Sequence, residues 1–132
     1  MSQTPEHILE QLRALLANAY VPYSHYPVAA VIRSGSGQLY SGVNVENAAY
    51  PMTRCAEQSA VQGMVTAGEQ RIDEVWIMTR GKRAGTPCGG CRQVLSEFGE
   101  PEVKVHCYTE DGLEFHTTIG ELLPDAFGPK YL

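Results

Sequence analysis

Cys55 and Glu57 stand two residues apart at the start of a helix-compatible run, and Cys88-Gly89-Gly90-Cys91 puts two more sulfurs three residues apart directly after Pro87. On a first helical turn that second spacing places both sulfurs on one side, able to grip one ion. A lone Cys-x-x-Cys is only suggestive. With Cys55 there are two helix N-termini that offer thiols, and the positive end of a helix stabilises the thiolate, the form that binds zinc. Three protein ligands leave a fourth tetrahedral position for water, and a nearby carboxylate that is not a ligand can move that water's proton. Mid-helix residues two apart point nearly opposite ways, so Cys55 and Glu57 can share a site only at the helix mouth. This is the chemistry of a hydrolytic zinc centre.

The elements that must position these residues follow from periodicity. Residues 55–67 and 88–98 read as the two helices, the first stopping at Gly68. An opening helix carries Ile8, Leu9, Leu12, Leu15 and Leu16 on one stripe, with Thr4 as its cap and Pro5 in its first position. Residues 27–33 and 38–43 flank Ser34-Gly35-Ser36-Gly37 and read as a hairpin. Residues 44–54 lack a period and read as a loop. Strands are expected at 73–79, at 102–108 with Val103, Val105 and Cys107 on one face, and at 113–117, before a short helix at 119–123. Strands alternating with helices after a hairpin predict an α/β fold, a three-layer α/β/α sandwich around one mixed sheet.

The chain has 132 residues, 43% of them hydrophobic, so one domain spanning 1–132 with a core that needs no disulfide staples is expected. A formal net charge of -5 opposes a large phosphate-binding surface, which excludes nucleic acid as an expected partner. No run approaches the roughly 18 consecutive apolar residues of a membrane span, and the N-terminal stripe is broken by charged residues, unlike a signal peptide. The expectation is a cytoplasmic protein with no membrane partner, in which cysteines bind metal or stay reduced.

Cys55-Ala56-Glu57 and Pro87-Cys88-Gly89-Gly90-Cys91 match the zinc deaminase signature, His-x-Glu then Pro-Cys-x-x-Cys with Cys allowed for the His. Over nearly its whole length the chain resembles the small cytidine deaminases. The likeness runs from Tyr23-Ser24-His25-Tyr26-Pro27-Val28 through Asn44-Val45-Glu46-Asn47-Ala48-Ala49-Tyr50 to Glu121-Leu122-Leu123-Pro124-Asp125-Ala126-Phe127. The resemblance implies a five-stranded mixed sheet and one Zn²⁺ per subunit held by Cys55, Cys88 and Cys91. It implies hydrolytic deamination of cytidine and 2′-deoxycytidine at C4, in pyrimidine salvage, with Glu57 moving protons to N3 and then to departing ammonia. Asn44 and Glu46 are assigned by it to the ribose hydroxyls, and Tyr26 to packing against the pyrimidine. The Ala56 amide is assigned to the base carbonyl and the Thr86 carbonyl to the leaving amine. Phe127 matches an aromatic that reaches a neighbouring subunit's site, which implies a homotetramer with active sites near subunit interfaces.

Three-cysteine members of that family usually carry Arg after the glutamate, where it offsets the formal charge of three thiolates on Zn²⁺. Here the residue is Gln58, and the sequence leaves the balance to the helix N-termini or to Arg54 or Arg92. Ala29 and Pro51 are smaller departures, Pro51 bordering the substrate loop. Cys107 reads as a small buried hydrophobe rather than a fourth ligand, and His7, His25, His106 and His116 as surface or local hydrogen-bonding residues. The alternatives are a deaminase of a modified cytidine or a blasticidin-type nucleoside, a non-catalytic zinc-stabilised module, and polynucleotide editing, which the acidic charge balance opposes.

Overall fold

The computed structural model describes residues 5–132. Thr4, the expected cap, lies outside them. Helix α1 spans Glu6–Leu16, and Pro5 is the extended residue flanking it, one position earlier than the sequence suggests. Strands β1 (Val28–Ser34) and β2 (Leu39–Val43) form the expected hairpin. Helix α2 (Ala56–Thr66), strand β3 (Ile72–Thr79), helix α3 (Gly89–Phe98), strands β4 (Gly99–Thr109) and β5 (Glu114–Thr118) and the short α4 (Ile119–Leu122) follow. Gly68, with φ +94°, takes the left-handed conformation that stops α2 as expected.

One five-stranded sheet runs in the order β2-β1-β3-β4-β5. Only β3 and β4 are parallel, joined through α3, and the other neighbours are antiparallel. Strand β4 starts three residues earlier than expected. Pro101 is tolerated there because it sits where the pairing with β3 shifts register, before β5 joins at Lys104.

Each strand sends alternate side chains to opposite faces. On one face Val31, Trp76, Met78 and Tyr108 meet Ile8, Leu12 and Leu16 of α1. On the other, Ala30, Ile32, Val75, Ile77, Val105 and Cys107 meet Ala56, Ala60, Val61 and Met64 of α2, Leu95 of α3 and Ile119. Because β1 and β3 are covered on both sides, they are apolar almost without interruption rather than alternating. The result is the three-layer α/β/α sandwich, with α1 alone on one face. No helix among the described residues is long and apolar enough to cross a membrane.

Candidate active site

The loop before α2 is less free than its composition suggests. Val45 exchanges backbone hydrogen bonds with Arg54, at 2.9 and 3.0 Å, and Glu46 N–H donates to the Tyr20 carbonyl at 2.9 Å. A 3-10 turn at Tyr50–Met52 closes the excursion. Cys55 is thereby delivered in extended conformation (φ −75°, ψ 156°) at the mouth of α2. Cys88 does the same for α3 (φ −66°, ψ 170°), and Cys91 is buried in the first turn of that helix.

Two helix mouths therefore converge. The Sγ atoms of Cys55, Cys88 and Cys91 all lie within 4.8 Å of one another, and all are free thiols. A tetrahedral ion with bonds of ~2.3 Å needs sulfurs about 3.8 Å apart, so the soft, three-sulfur donor set at two positive helix ends fits zinc. Cys107 is not part of this cluster. It sits in the core face of β4, where burial pushes its thiol up to about 12.

Cys55 is lowered to about 7, first because it accepts a hydrogen bond from the Cys91 thiol. Cys91 is raised by donating that bond and by burial. Glu57, 4% exposed, is raised by burial and accepts from Cys91 Sγ at 3.7 Å.

The hydrogen bond that Gln58 makes reaches a sulfur: its Nε2 donates to Cys91 Sγ at 3.7 Å. Arg54 instead donates to the Pro51 and Thr53 carbonyls at 3.2 and 3.0 Å. Arg92 donates to the Pro87 carbonyl, the Leu122 carbonyl and the Thr86 hydroxyl, at 2.7, 3.0 and 3.0 Å. Neither arginine hydrogen-bonds a sulfur, although the Arg54 charge helps to lower Cys55, while the Gln58 amide reaches Cys91 directly.

A cavity of about 170 Å³ opens over the cysteines and Glu57, and Tyr26, Asn44, Ala56 and Thr86 line it. Asn44 accepts from Val28 N–H and donates to the Tyr26 carbonyl, each at 2.9 Å, so one of its two amide hydrogens is committed to backbone. Glu46 lies outside the lining. Its Oε1 accepts from the Tyr23 and Ser24 amides at 2.9 and 3.1 Å, and hydrogen bonding, led by Ser24, holds its carboxyl below the usual value. Phe127 is not in this cavity. It is 58% exposed, stacks on Tyr131 at 5.1 Å and has its carbonyl held by Gln93 Nε2 at 2.9 Å. A larger hollow of about 600 Å³ near the C-terminus contains none of the cysteines.

The zinc-binding region of cytidine and deoxycytidylate deaminases matches residues 2–107. The chain belongs to that deaminase family. Among curated members, the cytidine deaminase of Mycoplasma genitalium is 40% identical over 123 residues, covering 92% of this chain and 94% of the relative. That of Sporosarcina psychrophila is 35% identical over 127 residues, covering 96% and 93%. The crystal structure of cytidine deaminase from Burkholderia pseudomallei is similar with a TM-score of 0.88 and 35% identity, over 95% of this chain and all of that one.

Sequence reasoning missed Val28, Thr53, Ile77, Thr79 and Gly85, which also line the deaminase cavity. One signal was available for Thr79: it ends β3, and ligands in α/β sheets gather at the carboxyl ends of strands.

Proposed function

We propose that this protein catalyses the zinc-dependent hydrolysis of cytidine and 2′-deoxycytidine to the uridine nucleosides and ammonia. The observation that carries this is the buried Glu57 carboxyl beside three converging cysteine sulfurs at two helix mouths. Cys55, Cys88 and Cys91 would hold the zinc. When bound, zinc supplies Lewis acidity that brings the ionisation of water near neutral pH.

Glu57 takes a proton from the attacking water and delivers it to N3 as the oxygen bonds to C4, then carries the proton of the new C4 hydroxyl to the amine as the C4–N bond breaks and ammonia leaves. Its burial supports this, because burial raises the carboxyl above its ordinary value and so makes it a better proton acceptor. The Ala56 N–H, in the first helical position where no intrahelical acceptor exists, is available to the base carbonyl. The Thr86 carbonyl faces the amine that leaves, and Tyr26 packs on the pyrimidine. Asn44 uses its second amide hydrogen, and Glu46 its Oε2, on the ribose hydroxyls.

The chain works as one catalytic domain over 1–132, as a homotetramer in the cytoplasm, within pyrimidine salvage. The exposed Phe127, pre-stacked on Tyr131, supports insertion into a neighbour's site, and the free cysteines suit a reducing compartment. The test is a cytidine-to-uridine absorbance assay with and without chelator, with zinc quantified on the same sample. Turnover that tracks zinc content is expected, and zinc-loaded protein without turnover would sink the reading.

A further inference from the structure

The loop between β3 and α3, residues 80–88, has no regular structure, yet its last residues include two of the site, Thr86 and Cys88. Its far end is held from α3, where Arg92 binds the Pro87 carbonyl and the Thr86 hydroxyl. Its middle is held from the sheet by a residue that packing alone does not require to be polar. Thr79 is 3% exposed at the end of β3. Its hydroxyl accepts the Gly85 N–H at 3.1 Å and donates to the Tyr108 carbonyl at 3.5 Å, so both hydrogen-bonding roles are used.

Gly85 is held where three parts meet. A Cβ added there would lie 2.7 Å from the Tyr26 hydroxyl and 3.0 Å from the Thr79 methyl. The absence of a side chain at 85 lets the loop backbone touch both the Tyr26 side wall and the strand end. Gly85 thus sits between Tyr26 on one side of the cavity and Thr86-Pro87-Cys88 on the other.

We propose that Thr79 is a positioning residue of this active site: its hydroxyl fixes Gly85, and through Gly85 the loop that sets Thr86 and Cys88 against Tyr26. The inference rests on the deaminase reading above for its kinetic consequence, but not for its effect on the metal ligand Cys88. A misplacement on the order of an ångström far from the reacting atoms is enough to change turnover by one or two orders of magnitude.

The test compares zinc-loaded wild type, Thr79→Val and Thr79→Ser for three quantities: kcat per bound zinc, KM for cytidine, and the rate of zinc loss to a chromogenic chelator. Thr79→Val is expected to lower kcat about tenfold with a smaller change in KM, and to speed zinc loss several-fold. Thr79→Ser, which keeps the hydroxyl, is expected to stay within about twofold of wild type. Wild-type kcat and zinc loss in Thr79→Val overturn the proposal, as does Thr79→Ser being as impaired as Thr79→Val, which would assign the effect to the methyl group. If Thr79→Val does not fold, Gly85→Ala is the second probe, and unchanged kcat and zinc loss there also overturn it. Wild type that turns over no cytidine defeats the deaminase reading instead, and the zinc-loss comparison still decides the role of Thr79.

Discussion

His106 Nδ1 lies 2.7 Å from His116 Nδ1 across β4 and β5, while His106 Nε2 lies 2.6 Å from Glu74 Oε2. His106 Nε2 faces the Glu74 carboxylate and His116 Nε2 the Glu114 carboxylate at 2.7 Å, so one proton on either Nδ1 completes the bond between the rings. Burial holds His106 below its ordinary pKa, with His116 and Lys104 adding to the effect and Glu74 opposing it. Burial also works against the Glu74 carboxylate, but Arg33 and His106 keep that group below its usual value.

The sign of the pH dependence follows. Between the depressed folded value and the unfolded value near 6.5, the unfolded state binds more protons, so stability is full above that window and falls with pH through it. His106 is expected to make stability fall as pH drops below about 6.5, by up to about 1.4 kcal/mol per pH unit, with Glu57, raised by burial, opposing it. His106→Gln should flatten that slope in urea denaturation. An unchanged slope in the variant would rule out His106 as its source.

Glu57→Gln keeps the volume and removes the proton carrier. Its kcat is expected to fall by roughly 10³-fold, within the range for a lost general acid–base, while bound zinc remains near one equivalent. Retained turnover at full zinc occupancy would show that another group moves the protons.

Gln58 supplies the hydrogen bond to Cys91 that neither Arg54 nor Arg92 makes. Gln58→Ala is expected to weaken zinc binding about tenfold, and Gln58→Arg, which adds a cation beside three sulfurs, to tighten it. Competition with a chelator of known affinity reads both. Equal affinity in all three proteins would leave the helix N-termini and the Arg54 charge as the balance.

Gly42 on β2 faces the start of α2, and a Cβ there would meet the Ala56 carbonyl and lie 2.7 Å from Ala60 N. Both neighbours are helix backbone in the turn that carries Glu57, so neither can give way alone. Gly42→Ala is expected to cost ~3 kcal/mol, the upper part of the overpacking range, seen as a lower urea midpoint. A midpoint within experimental error of wild type would mean that β2 can lift away from α2 freely.

The local features of this protein were legible in the sequence because they depend on neighbours a few residues away. Apolar periodicity set the helices and strands, Gly68 set the end of α2, and the spacing of Cys55, Glu57, Cys88 and Cys91 put sulfurs at helix mouths. Other features depend on which side chains the sheet register brings together from distant parts of the chain. Thr79 gained its hydrogen bond because β3 ends beneath the loop at Gly85, and His106 met His116 because they pair across β4 and β5. Likewise, no spacing rule could say that Gln58, rather than Arg54 or Arg92, hydrogen-bonds a sulfur. That choice was decided by the packing of α2 against α3, which sets one amide against a sulfur 33 residues away.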